Sequence, residues 1–213
     1  MVSPTLVRGM LRRGWSLAVF GVVASALSPA GAAGQSTPRA LLTGPQFGIG
    51  FVANAPEEMA GGSAYVVFPA MGGIGLYVDA KFDTEDSSGQ RGYVPDVTAA
   101  DVESVYGGDF VQDEESWWSV DVALVRPLNP YLMVYGGAGL AHKSVFRQYS
   151  LDSDVEIGVG GVAWVEDPRG EEDRVNLMAG VMFRLSRWIS TQFGVESEPR
   201  GVTIGASLRL PPW

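Results

Sequence analysis

The chain has 213 residues, with 15 Lys and Arg against 24 Asp and Glu, a net charge of −9 and no cysteine. That balance disfavours nucleic acid, whose phosphates need Lys and Arg, and the missing cysteine leaves no disulfide framework and no lipid-bearing cysteine anchor. Its 28 glycines and 18% charged residues suit a β-rich protein better than a helical one.

In chain order, Arg8, Arg12 and Arg13 form a basic start, and Trp15 to Leu27 is an apolar run too short to cross a bilayer as a helix. Ala30-Gly31-Ala32 then fits a small-x-small cleavage site, so residues 1–33 read as a secretory signal peptide cut near Ala32 or Ala33. Removing its three arginines takes the net charge from −9 to −12. Residues 34–44 read as a short exposed leader, and 45–213 as one domain. No apolar stretch in that domain is long enough for a transmembrane helix.

A first strand is expected at 45–54, with Phe47, Ile49, Phe51 and Ala53 opposite glycines. The second, 62–69, has the weakest signal, because apolar residues occupy both parities. In the third, 73–83, Ile74, Leu76, Val78, Ala80 and Phe82 oppose Gly75, Tyr77, Asp79 and Lys81. Residues 84–116 then read as a long acidic loop with nine Asp and Glu against one Arg. The fourth strand, 117–126, sets Val120, Val122 and Leu124 against Ser119, Asp121 and Ala123. The fifth runs from Tyr131 to about Tyr149, longer than a membrane needs, so its far end should project into solvent. A second acidic loop, 150–173, holds eight Asp and Glu and one Arg, and its apolar middle, VEIGVGGVAWV, suggests a hairpin above the rest.

The last three strands are the clearest. Val175, Leu177, Ala179, Val181, Phe183 and Leu185 alternate with more polar or smaller partners, as do Ile189, Thr191, Phe193 and Val195, then Val202, Ile204, Ala206, Leu208 and Leu210. A period of two over about 9–11 residues, one face apolar, marks a membrane-spanning β-strand. Short turns at 69–72, 126–130 and 186–187 alternate with longer connections at 55–61, 84–116, 150–173 and 198–200. The fold expected is all-β: an eight-stranded antiparallel up-and-down transmembrane β-barrel, with both termini periplasmic and the long loops outside.

Signal peptide, eight alternating strands, acidic outer loops and a glycine-rich fifth strand together resemble the small outer-membrane β-barrel family of the OmpA/OmpX transmembrane-domain type. The stretches PYLMVYGGAGLAHKSVFRQYS and RVNLMAGVMFRLSRW carry the resemblance most strongly. It implies residence in outer-membrane lipid after insertion by the barrel assembly machinery, which reads a final strand ending in an aromatic residue. This chain departs from that pattern: alternation stops at Leu210, and Pro211-Pro212 precede Trp213.

The interior of an eight-stranded barrel has room only for side chains. Asp79, Lys81, Asp121, Arg184, Glu196 and Arg209 are expected to point inward, three acids and three bases that can pair in a packed lumen with no open pore. Tyr131, Trp188 and Trp213 at one end, and Trp117, Trp118 and Tyr149 at the other, are expected to form interfacial girdles. Trp164 in the upper loop could stack on a ligand, though a structural role is the plainer reading.

His142 and Ser144 lie two apart on one strand face, with Glu156 twelve residues beyond Ser144, so the parts of an acyl-transfer triad are present. The pattern is similar to the His-x-Ser and distant Glu of outer-membrane lipid A deacylases. It departs in having Val145 after the serine and in lying outside the penultimate strand. Asp152-Ser-Asp154-Val-Glu156 lacks the glycine and glutamate of a calcium loop, and Gly136-Gly137-Ala138-Gly139 sits in a strand and so is no phosphate loop. No catalytic, cofactor-binding or metal-binding residue is therefore assigned, and no cofactor is expected.

The function expected first is a non-enzymatic outer-membrane barrel with a structural, adhesive or surface-interaction role, its loop partner unspecified. A lipid A acyl-modifying enzyme on the same barrel is the alternative. An exported, soluble lipocalin-like carrier is the third reading, but a soluble barrel turns its apolar face inward, and here the charged face is the sparse one.

Overall fold

A computed structural model describes residues 44–84, 92–152 and 157–210. The expected signal peptide, the leader up to residue 43, Asp154, Glu156 and Trp213 lie outside the described residues.

Ten strands occur among the described residues: β1 (Gln46–Ala55), β2 (Met59–Phe68), β3 (Ile74–Asp83), β4 (Tyr93–Thr98), β5 (Asp109–Asn129), β6 (Leu132–Ser150), β7 (Val162–Glu166), β8 (Glu172–Arg184), β9 (Ile189–Ser197) and β10 (Arg200–Leu210). Eight of them close a ring in the order β1, β2, β3, β5, β6, β8, β9, β10, with β10 pairing back to β1. Every pair in the ring is antiparallel. This is the eight-stranded up-and-down barrel that the alternation predicts. Closure leaves no strand edge unpaired around the ring, which is what lipid demands of a spanning backbone. No helix among the described residues is long and apolar enough to cross a membrane.

The alternation seen in the sequence sorts onto the two faces of the wall. Ile49, Phe51, Leu76, Phe82, Val120, Val122, Leu124, Leu177, Phe193, Ile204 and Leu208 are exposed on the outside. Tyr65, Tyr77, Asp79, Lys81, Asp121, Asn176, Gln192 and Glu196 are buried inside. An apolar belt of this extent faces lipid; a water-soluble barrel carries the opposite polarity. The weakly patterned second strand resolves too: it begins at Met59, and Met59, Ser63, Tyr65 and Val67 point inward. Gly137 and Gly139 mark where β6 presses on β5, since a Cβ there would collide with the carbonyl oxygens of Val122 and Val120. The glycine run of the fifth ring strand therefore serves tight curvature.

Residues 92–116 of the long acidic segment are not a structureless loop. Strand β5 starts at Asp109, eight residues before the expected 117, and pairs with β6 as a ribbon rising beyond the ring. Strand β7 adds to β6 from Phe146 to Ser150, and β4 lies parallel to β7. Of the hairpin expected within 150–173, the described residues show the bridge Val159–Val162, and β7 takes β6 as its partner. A helical turn, Ala99–Asp101 continuing as Val102–Tyr106, completes a cap over this end. Ala99, Val102, Tyr149, Leu151, Ala163 and Val165 form its buried core. The period-two reading missed the cap because its apolar residues are sparse and separated by acids.

Candidate functional site

Three places carry chemistry: the lumen, the cap and one patch on the outside wall.

At mid-barrel the Lys81 ammonium lies 2.5 Å from Asp79, 3.1 Å from Asp121 and 2.8 Å from Glu196, all four side chains fully buried. Strand β3 places Asp79 and Lys81 two residues apart on one face, the neighbouring β5 sets Asp121 directly beside Asp79, and β9 brings Glu196 from across the barrel. Neutral donors complete the network. Tyr77 Oη donates to Asp79 at 2.8 Å, Asn176 Nδ2 to Asp121 at 2.8 Å, and Asn54 Nδ2 to Glu196 at 2.8 Å. Gln192 Nε2 in turn donates to Tyr77 Oη at 2.8 Å.

The lumen departs from the expected pairing of three acids with three bases. Arg184 and Arg209 sit at the short-turn end, where both donate to Gln46 Oε1 at 2.9 Å, far from the acids along their strands. Lys81 alone meets all three carboxylates, and amide and phenol donors stand where further cations were expected. Asp79, Asp121 and Glu196 also converge closely enough to hold a metal ion, but the Lys81 ammonium already lies between them. Below this layer Tyr65, Val67, Tyr77, Ala123, Val125, Met133, Tyr135, Met178 and Met182 fill the bore. Above it Met59, Trp117 and Ala141 pack together. The cleft remaining at the mouth, about 240 Å³, is lined by Glu57, Glu115, Trp117, Arg174, Glu198, Pro199 and Arg200. Arg174 reaches Glu198 at 3.0 Å there, also pairs with Glu172, and lies over the Trp117 ring.

In the cap, Arg147 bridges Asp167 at 2.8 Å and Glu103 at 3.4 Å, and Tyr149 Oη donates to Glu103 at 2.7 Å. Burial pushes the Tyr149 phenol above its ordinary range, and its hydrogen bond to Glu103 adds to that rise. The girdle expectation is corrected here. Tyr149 belongs to the cap core, and Trp117 points into the lumen, whereas Trp118, Tyr131 and Trp188 are exposed at the rims. Trp164 is 3% exposed, so it supports the cap instead of offering a stacking face.

The third place is on the outside of the wall. His142 and Ser144 share the outward face of β6, as expected from their spacing. Ser144 Oγ lies 3.3 Å from His142 Nε2, and His142 Nδ1 lies 2.8 Å from Asp173 Oδ1. Glu156 lies outside the described residues; the acid beside His142 is Asp173, paired directly across from it on β8. Sequence spacing could not find it: the two are 31 positions apart and meet only through strand register. The Trp118 ring stacks on the imidazole with centroids 5.5 Å apart.

The fold and its polarity define the class: a membrane-spanning eight-stranded β-barrel with a filled lumen and a folded cap. No family model matches the chain, and no curated protein matches it. Among solved structures it is similar to Ail, the attachment invasion locus protein of Yersinia pestis, with 14% identity over 79% of this chain and 100% of that one, at a TM-score of 0.45. It is also similar to the N-terminal β-barrel domain of Pseudomonas aeruginosa OprF, with 14% identity over 78% of this chain and 97% of that one, at a TM-score of 0.39. A major outer membrane protein from Thermus thermophilus is similar at 13% identity over 78% of this chain and 99% of that one, at a TM-score of 0.37. The class rests on this chain's own strand ring and lipid-facing belt.

Proposed function

We propose that the chain is an outer-membrane barrel without an open pore that displays a folded acidic cap at the cell surface as an interaction platform. The observation that carries this reading is the joining of both acidic segments into one structure above the ring. Segments 84–116 and 150–173 hold 17 of the 24 acidic residues, and β4, β7 and the ends of β5 and β6 draw the described parts of the two segments together. Such a field attracts a cationic partner and speeds its encounter. The filled lumen supports a platform over a channel, and the lipid-facing belt supports membrane residence over a soluble carrier. Insertion by the barrel assembly machinery and periplasmic termini follow from the same reading.

The absence of cysteine makes the test simple. Ser104→Cys in the cap and Met71→Cys in a short turn both place a thiol at an exposed site. A membrane-impermeant maleimide added to intact cells should label the cap variant at once and the turn variant only after lysis. Labelling of Met71→Cys in intact cells with Ser104→Cys protected would invert the topology.

A further inference from the structure

We propose that Ser144, His142 and Asp173 form a nucleophile, base and orienting acid that hydrolyse a fatty-acyl carboxylic ester of a membrane lipid. The proposal goes beyond the platform reading and holds in either orientation of the barrel, because it depends only on where the wall meets the lipid boundary.

Three observations converge. The hydrogen-bond chain has the order that acyl transfer needs: with Nδ1–H donated to Asp173, His142 leaves Nε2 as acceptor, and that nitrogen is the one beside Ser144 Oγ. The Trp118 ring, stacked on the imidazole, holds its plane. The depth is also right. Leu140, two residues below His142 on the same face, is 60% exposed in the apolar belt, and Val175, two residues below Asp173, is 64% exposed. The three polar groups therefore stand where the belt ends and ester linkages of lipids begin, with acyl chains against Leu140 and Val175.

The wall is interrupted at this point as well. The β6–β8 pairing stops at Lys143–Glu172 and the β6–β7 pairing starts at Phe146–Glu166, so Ser144 and Val145 lie where β6 changes partners.

The step balances without any cofactor. Ser144 Oγ attacks the ester carbonyl carbon as His142 Nε2 takes its proton. The carbon–oxygen bond to the lipid alcohol breaks, and His142 returns the proton to the departing oxygen, leaving an acyl-serine. Water, deprotonated by His142, then attacks the acyl carbon, and the proton passes to Ser144 Oγ as the fatty acid leaves.

The test uses the whole mature barrel folded in detergent micelles, with the heat-dependent gel shift reporting the fold. A fluorophosphonate probe reads the activated serine without presuming a substrate. Two lipid arms, phosphatidylethanolamine vesicles and purified lipopolysaccharide, distinguish the source of the ester by mass spectrometry of released fatty acid. Wild type should take up the probe and release fatty acid in one arm. Ser144→Ala and His142→Asn should each lose release by at least about 10³-fold, and Asp173→Asn by a smaller but large factor, all three remaining folded. Labelling should vanish in Ser144→Ala. Wild type inert to the probe and in both arms, or release unchanged in folded Ser144→Ala, would overturn the proposal.

Discussion

The ring and the cap obey opposite polarity rules within one chain. In the ring, Lys81 and three carboxylates are buried while Phe51, Val122 and Leu208 are exposed. In the cap, Val102, Ala163 and Val165 are buried, while acids such as Glu103 and Asp109 face outward. The same β6 strand serves both regimes, contributing Tyr135 to the lumen and Tyr149 to the cap core. The difference teaches that side-chain polarity answers to the local solvent: lipid outside the ring, water outside the cap.

Removing Lys81, the cation of the mid-barrel layer, should strike the ring hardest. Lys81→Met leaves three carboxylates converging on a methyl group, and uncompensated buried charge costs about 3–5 kcal/mol. Urea titration of the barrel folded into lipid vesicles measures this, and a cost under about 1 kcal/mol would deny that Lys81 holds the layer together. The outside of the ring should respond next. Val122→Arg, near the middle of the β5 outer face, should cost about 2–4 kcal/mol in a bilayer. The same titration should find a far smaller loss for Val105→Arg, an exposed cap position 70% open to water. Equal costs would erase the contrast between the two regions.

The cap should be more delicate and more local. Thr98 Oγ1 accepts from Asp101 N at 3.3 Å, and Asp101 Oδ2 accepts from Thr98 N at 2.9 Å, a reciprocal capping box. Thr98→Ala should destabilise that helical turn by about 1 kcal/mol, seen as faster amide exchange over 99–106 with the ring unchanged. The Thr98 hydroxyl, which donates to Asp101 Oδ2 at 2.6 Å, and the Thr98 N–H together hold the Asp101 carboxyl below its ordinary range. The cap's contribution is then complete above the ordinary carboxylate range and is lost as pH falls through the lowered value. Amide exchange in the turn should therefore accelerate only in strong acid; acceleration near neutral pH would contradict this.

The ring was legible because lipid enforces a strict period of two, and β3, β8 and β10 follow it almost without exception. The cap was not, since a small water-facing core needs only a few apolar residues with no fixed period, and β4 and β7 meet across distant positions, as Tyr93 does Trp164. The outward patch was half legible. His142 and Ser144 share a face by simple parity, whereas Asp173 arrives by cross-strand register, which no spacing along the chain encodes. The lumen charges were placed on the correct face, but their depth along the strands, which separates Arg184 and Arg209 from the acids, followed from the ring's stagger and not from parity.

Adjacent tryptophans give the most direct test of the central claim, that the apolar face of this wall meets lipid. Trp117 is 7% exposed and points into the lumen, while Trp118, the next residue, is 39% exposed and points outward. Two variants, each retaining one of these as the sole tryptophan and Phe at the others, would be folded into vesicles of brominated phospholipid. A lipid-facing belt predicts strong quenching of Trp118 fluorescence and little for Trp117. Equal quenching, or stronger quenching of Trp117, would contradict it.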